Sequence, residues 1–207
     1  MFPTISYLEY EQQVPQEGKH ILATLLGENI IVYQAYRPSI GKYALKHQQF
    51  GGDFKLTRMS WIKPNFLWMM YRSGWGQKEG QTYVLGVEIP LKFFVEILNE
   101  SVVSSYKKQL YPNREDWQQA IANSDVRLQW DPDHHPTGEK LERKAVQLGL
   151  RGEFIRRYAQ EEIVAIHDMT PFIQEQLPHL EQKNWGALQI PKEQVLELEG
   201  VKAAFWQ

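Results

Sequence analysis

The stretch that most limits what this chain can fold into is Arg58–Gly76, RMSWIKPNFLWMMYRSGWG. It holds three of the seven tryptophans, Trp61, Trp68 and Trp75, together with Phe66, Tyr71, Met69 and Met70. A segment this apolar must lie inside, because aromatic side chains bury the most area per residue. Yet Arg58, Lys63 and Arg72 are set among the rings. Cations so near the middle of a core segment either reach solvent or answer a bound anion. The segment therefore predicts both where the core lies and where to look for a site.

Its local grammar is readable. MSWIKP reads as a short strand, and Asn65, after the Lys63–Pro64 step, starts a helix through FLWMMYR. Gly74 is placed to end that helix in the left-handed conformation. Arg72 falls in its last turn, where the helix dipole favours a cation. Lys63 falls beside its start, where a cation is disfavoured unless an anion shares the backbone N–H groups.

Around this centre the chain alternates. HILATLL and IIVYQAY flank a Gly-Glu-Asn turn and read as a β-hairpin. In the second run Ile31, Tyr33 and Ala35 share one face, and Val32, Gln34 and Tyr36 share the other. Pro38 opens a helix running to Phe50. TYVLGVEI is apolar on both faces and reads as a central strand. PLKFFVEILNESVV is an amphipathic helix, and Asn113 with Asp116 resembles a capping box. DVRLQW and KAVQLGL read as strands, RGEFIRRYAQ as a helix, EEIVAIHDM as a strand, and TPFIQEQL as a helix opened by Pro171. PKEQVLELE reads as a last short helix.

The tally, about six strands and five helices in irregular order, predicts an α+β fold. We expect one domain with a mixed, mainly antiparallel sheet and packed helices, which 207 residues can bury. Its expected limits are residues 19–177, with residues 1–18 a weakly structured leader and residues 178–207 an extension lying across the body.

Composition excludes several classes. With no cysteine, a disulfide scaffold, a thiolate metal site and a cysteine nucleophile are ruled out. A net charge of −2 with both signs mixed argues against a general nucleic-acid coat or a membrane-surface protein. The first residues lack the basic and apolar regions of a signal peptide, and no apolar run is long enough to span a bilayer. A soluble, cytoplasmic protein without a membrane partner is expected. No signal points to a particular oligomeric state. G-x-G-x-x-G after a strand, G-x-x-x-x-G-K-[ST] and G-x-S-x-G are all absent, so the Rossmann, P-loop and hydrolase readings lack their motifs.

Four clusters carry candidate chemistry. In the central stretch, Trp61, Lys63, Tyr71, Arg72 and Trp75 suit a nucleotide pocket, cations for phosphate and rings for stacking. At the end of the first long strand stand Gln34, Tyr36 and Arg37, where strand-to-helix junctions often meet ligands. Gln147 and Arg151 flank a turn; Glu161 and Glu162 open a strand and are the candidate catalytic carboxylates. Asp131 to His135, DPDHH, is read as a polar solvated loop, because neighbouring side chains on a loop rarely converge on one ion; no metal is expected.

VYQAYRPSI, RMSWIKPNFLWMMYRSGWG, VRLQWDP, AVQLGLRG and IVAIHDMT together resemble the uncharacterised domain-of-unknown-function family forty-two ninety-one. The order of IIVYQAY, the helix after it, MSWIKP and EEIVAI is also loosely similar to the ADP-ribosyltransferase-like fold. That similarity implies NAD as cofactor and ribosyl transfer through an oxocarbenium-like state to a nucleic-acid, protein or small-molecule acceptor. Under it Arg37, Lys63 and Arg72 would hold phosphates, Tyr71 and Trp75 would stack, and Glu161 or Glu162 would act as the carboxylate. Two readings stand beside this one: a non-catalytic nucleotide- or RNA-binding module using the same pocket, and a structural domain whose aromatic stretch is only core.

Overall fold

The computed structural model describes residues 2–202 and 206. Along the chain run β1 (Thr4–Ser6), α1 (Tyr7–Gln13), β2 (Leu22–Ala23), β3 (Leu25–Leu26), β4 (Asn29–Tyr36), α2 (Pro38–His47) and β5 (Ser60–Ile62). Then come α3 (Phe66–Ser73), β6 (Tyr83–Pro90), α4 (Leu91–Glu100), β7 (Ser101–Val103), α5 (Arg114–Asn123), β8 (Val126–His134) and β9 (Lys140–Leu150). The chain continues with α6 (Gly152–Gln160), β10 (Ala165–Asp168), α7 (Thr170–Glu181), β11 (Gln189–Pro191) and β12 (Gln194–Val195). The fold is a single α+β domain, and no described helix is long and apolar enough to cross a membrane.

Two four-stranded sheets form the frame. One has the order β10-β6-β4-β3 and is antiparallel throughout; the other has the order β5-β9-β8-β7, with β7 parallel to β8. Because side chains alternate along a strand, β4 buries both faces. Ile30 and Val32 join one core with Leu85, Val87 and Ile89 of β6, Leu128 and Leu148 of the other sheet, and Phe93 and Ile97 of α4. Ile31 and Tyr33 point the other way, into a second core with α1, α3 and α7. That double burial is why IIVYQAY and TYVLGVEI read as near-continuous apolar runs.

β3 is only two residues long, so most of the outer edge of β4 is left to other partners. Ile31 N–H donates to the Thr24 carbonyl, and Tyr33 N–H donates to the Lys63 carbonyl at 2.6 Å. The Tyr33–Lys63 pair is an isolated bridge between the two sheets. Beyond it β4 and β5 diverge, and the gap between them becomes a cleft.

The α3 helix forms as the sequence predicts. Asn65 caps it, its side-chain oxygen accepting from Trp68 N–H at 2.7 Å. Gly74 ends it at φ 56°, donating to the carbonyls of the last turn. Asn113 likewise caps α5, accepting from Asp116 N–H at 2.8 Å.

Several expectations are corrected. Residues 4–13, expected as part of a weakly structured leader, form β1 and α1; Tyr7 and Tyr10 are buried, and β1 pairs with β11. The Tyr7 and Tyr10 rings, which the sequence offered as able to dock on the body, are the apolar anchor of this short helix. PKEQVLELE is not a helix: Gln194 and Val195 form β12 against β2, because the free edge of Leu22–Ala23 needs a partner. Glu161 and Glu162 do not open a strand; they close α6, and β10 starts at Ala165. DPDHH is not a solvated loop, since β8 runs through His134 and Asp133 is fully buried. There the buried Arg143 guanidinium makes ion pairs with Asp133 and Glu11, both at 2.6 Å. Paired with Arg143, an acidic side chain fits inside a strand that composition alone marks as polar.

Candidate functional site

The cleft between β4 and β5 has a volume of about 440 Å³. β4 contributes Gln34, Ala35 and Tyr36, and the β5 segment contributes Met59, Ser60, Trp61 and Lys63. α3 adds Trp68, Met69 and Arg72, Gln81 comes from the loop before β6, and Gln129 and Gln147 come from β8 and β9. Register explains the gathering. Trp61 pairs with Gly149, and Gln147 pairs with Gln129, so these side chains share the sheet face opposite the main core. Lys63, two residues after Trp61, falls on that face too.

Gln34 builds the back wall and spends its whole amide doing so. Its Nε2 donates to Ser60 Oγ at 3.0 Å and to the Trp61 carbonyl at 3.1 Å. Its Oε1 accepts from the Tyr158 hydroxyl at 2.8 Å. Tyr36 reaches the same Ser60 hydroxyl at 2.8 Å. A polar residue on an apolar strand is thus the joint that holds β4 to β5.

Lys63 is the unusual group. Its side chain is 5% exposed, and its amine lies 4.8 Å from the centre of the Trp68 ring. Burial chiefly, with the nearby Arg72 charge, pulls its pKa down from 10.5 to about 7, while Asp131 acts weakly in the other direction. Arg72 is exposed at the mouth and donates to the Gln81 side-chain oxygen, at 3.0 Å in the amide orientation that also satisfies the Arg72 carbonyl. Among the described residues neither Lys63 nor Arg72 is in an ion pair. Arg72 and the partly charged Lys63, opposed only by the Asp131 charge and without an ion pair, form a site in which a bound anion would favour the charged amine.

The acceptor at the start of α3 is supplied by the chain itself, by Glu193, whose carboxyl is pushed by burial well above the usual carboxylate range. The buried Glu193 carboxyl accepts from Phe66 N–H, from Asn65 Nδ2 and from the Tyr10 hydroxyl. With Asn65 taking Trp68 N–H, the helix start is occupied, and the Lys63 side chain is free to turn into the cleft.

Gln34, Tyr36, Trp61, Lys63, Arg72 and Gln147, which the sequence placed in three separate clusters, line one cleft. The other candidates lie elsewhere. Trp75 is buried, and its indole N–H donates to the Pro136 carbonyl at 3.0 Å. Tyr71 stacks on His134, with ring centres 3.5 Å apart. Arg37 makes an exposed ion pair with Asp53. Arg151 caps the end of α5 through the carbonyls of Ile121, Ala122 and Ser124. Glu161 pairs with Arg156, and Glu162 pairs with Arg157. None of these lines the cleft. Among the described residues no three His, Asp or Glu side chains gather as a metal-ligand set.

Ser60, Trp68, Gln81 and Gln129 are cleft residues that the sequence reading missed. Trp68 was indistinguishable from its core neighbours. Gln129 carried a signal in VRLQWDP, where Gln129 and Asp131 alternate with apolar residues and so mark a polar strand face.

A family model described as Domain of unknown function (DUF4291) matches residues 20–196. The chain belongs to that family. The match includes every residue lining the cleft, as well as Glu193, which caps α3. No curated protein matches the chain.

Gly149 shows how tightly the DUF4291 cleft wall is packed. A methyl group there would come within 2.7 Å of Met59 Sδ and 3.1 Å of the Trp61 ring. Gly149→Ala is expected to displace Met59 and crowd the Trp61 indole towards the cleft, lowering stability by about 1–3 kcal/mol. Melting curves of the two proteins check this; an unchanged midpoint would mean that Met59 and Trp61 yield without cost.

Proposed function

We propose that the cleft binds a nucleotide, with Lys63 and Arg72 on its phosphate and the indoles of Trp61 and Trp68 against its ring. The observation that carries this reading is the convergence of two cations lacking ion-pair partners with two tryptophans on one cleft of about 440 Å³. That volume lies in the range of small-molecule sites. Cations meeting at one point suit the phosphate of a single ligand better than the spaced phosphates of an RNA strand.

ADP-ribosyl transfer from NAD is the reaction class that the order of elements suggests. The cleft residues fit the phosphate and a ring of such a dinucleotide. They do not supply the carboxylate that an oxocarbenium-like centre calls for, because Glu161 and Glu162 are held in ion pairs outside the cleft. The acid whose charge acts on Lys63 is Asp131, and both its oxygens are engaged by glutamine amides. Binding without catalysis is therefore the reading we favour, and no transfer step is assigned.

A thermal-shift series tests it. A nucleotide at about a hundred times its Kd should add about 3 kcal/mol, or about 5–10 °C for a chain of this size. Arg72→Ala should remove most of that shift while leaving the unliganded midpoint nearly unchanged, because Arg72 is exposed. Absence of any shift with millimolar nucleotides, NAD included, would sink the proposal. Release of nicotinamide from NAD would restore the transfer reading.

A further inference from the structure

Gln129 and Gln147 face each other across β8 and β9, and Asp131 lies two residues beyond Gln129 on the same face. Gln129 Nε2 donates to Asp131 Oδ1 at 2.8 Å, and Gln147 Nε2 donates to Asp131 Oδ2 at 2.7 Å. One carboxylate thus clamps two amides, each by its NH₂ end. A carboxylate only accepts, so neither amide can turn over without setting its carbonyl oxygen against an anionic oxygen. Both amides are consequently held with Oε1 turned away from Asp131, and both residues line the cleft. Among the described residues neither Oε1 receives a hydrogen bond, whereas the Gln34 amide on the opposite wall donates twice and its Oε1 accepts from Tyr158. The result is a pair of fixed, charge-polarised acceptors beside the two cations.

We propose that this amide pair recognises the donor edge of a purine base, guanine in the first instance. The proposal rests on the reading of the cleft as a nucleotide site and specifies its ligand. Guanine presents N1–H and the 2-amino group side by side. Hypoxanthine lacks the amino group, adenine places an acceptor beside its amino group, and uracil flanks its single N–H with two carbonyls. Two acceptors held rigidly discriminate against ligands that would leave them unmatched, because the cost falls on the wrong ligand as buried unpaired groups. Asp131 has no part in contacting the ligand here; it is a positioning residue that sets which end of each amide the ligand meets.

The test is an affinity panel of GMP, IMP, AMP and UMP, which share a phosphate and differ at the base edge. The wild-type protein should bind GMP about tenfold or more tighter than IMP or AMP, in keeping with the discrimination of a good bidentate contact. In Asp131→Asn the clamp can donate as well as accept, so the amides are free to turn. The GMP/IMP ratio should then fall to within about twofold, while both nucleotides keep their phosphate contacts. A residue that served only structure would weaken all four ligands together and leave the ratio intact. Gln147→Met, which removes one acceptor without changing charge, should lower GMP affinity about tenfold and IMP affinity less; it keeps the proposal testable if Asp131→Asn fails to fold. Equal affinities across the panel, or a ratio that survives both substitutions, would overturn the base-recognition proposal and leave nucleotide binding standing. No binding by any of the four would overturn both.

Discussion

Lys63→Met is expected to raise the thermal midpoint by about 4–8 °C at pH 7 and, if the cleft takes a nucleotide as proposed, to abolish the stabilisation that binding would add. The cause is the position of the amine. It is buried against Trp68 without an ion-pair partner, which holds its pKa at about 7 instead of 10.5. Between these values the unfolded chain carries a proton that the folded chain does not. Stability from this group therefore rises as pH climbs from about 7 to 10.5, and the penalty is complete below about 7. At 1.36 kcal/mol per pH unit the full penalty is on the order of 5 kcal/mol. Methionine removes it but also loses the cation–π contact, so a net gain of about 2 kcal/mol is expected. At this chain length that corresponds to the stated shift in midpoint. Melting curves of both proteins from pH 6 to 10 would show their difference largest at the acid end and closing towards pH 10. A difference independent of pH would mean that the amine is not the source. A gain in stability coupled to a loss of binding is the pattern of a residue retained for function.

The same titration acts on ligand affinity. An anion beside Lys63 favours the charged amine, so binding draws in a proton near neutrality and should tighten as pH falls from about 8 to 6. Titration calorimetry in two buffers of different ionisation enthalpy would detect that proton.

Arg143→Met should have the opposite effect on stability, a loss of about 3–5 kcal/mol and a midpoint lower by about 10 °C or more. Arg143 and Asp133 are each about 1% exposed, and the guanidinium also holds Glu11 of α1. Removing it strands a buried carboxylate, which costs far more than the pair itself contributes. Pairing the change with Asp133→Leu, which removes the charge left behind, should recover most of the loss. If the single variant loses less than about 1 kcal/mol, or the double variant recovers nothing, the network is not what pins α1 to the sheet. Chemical denaturation of the two single variants and the double variant completes the cycle.

Much of the fold was legible because it rests on local chemistry. Asn65 and Gly74 bracket α3 by backbone hydrogen bonding that involves only nearby residues. The double-sided burial of β4 and β6 shows in their unbroken apolar runs. What failed needed a partner distant in sequence. The buried end of β8 depends on a network in which Arg143 also ties Glu11, 132 residues away, and β12 forms because β2, far away in the chain, offers an edge. α1 is ordered by burying its tyrosines in a core that the rest of the chain builds.

The candidate site divides along the same line. Sequence alone determined that an aromatic, cationic segment lies at the centre, that Lys63 and Arg72 stand at its ends, and that Gln34 is a polar intrusion on an apolar strand, whereas Gln147, read as flanking a turn, lies within β9. These follow from residue type and from the two periods of strand and helix. Only the tertiary structure decided which of these groups meet. It turned Trp75 and Tyr71 away, tied Glu161 and Glu162 into surface ion pairs, and brought Gln129 beside Gln147 under one carboxylate. The physical reason is strand register. Whether two side chains separated by many residues share a face depends on how β5, β9 and β8 align, and that alignment is settled by the whole core packing at once.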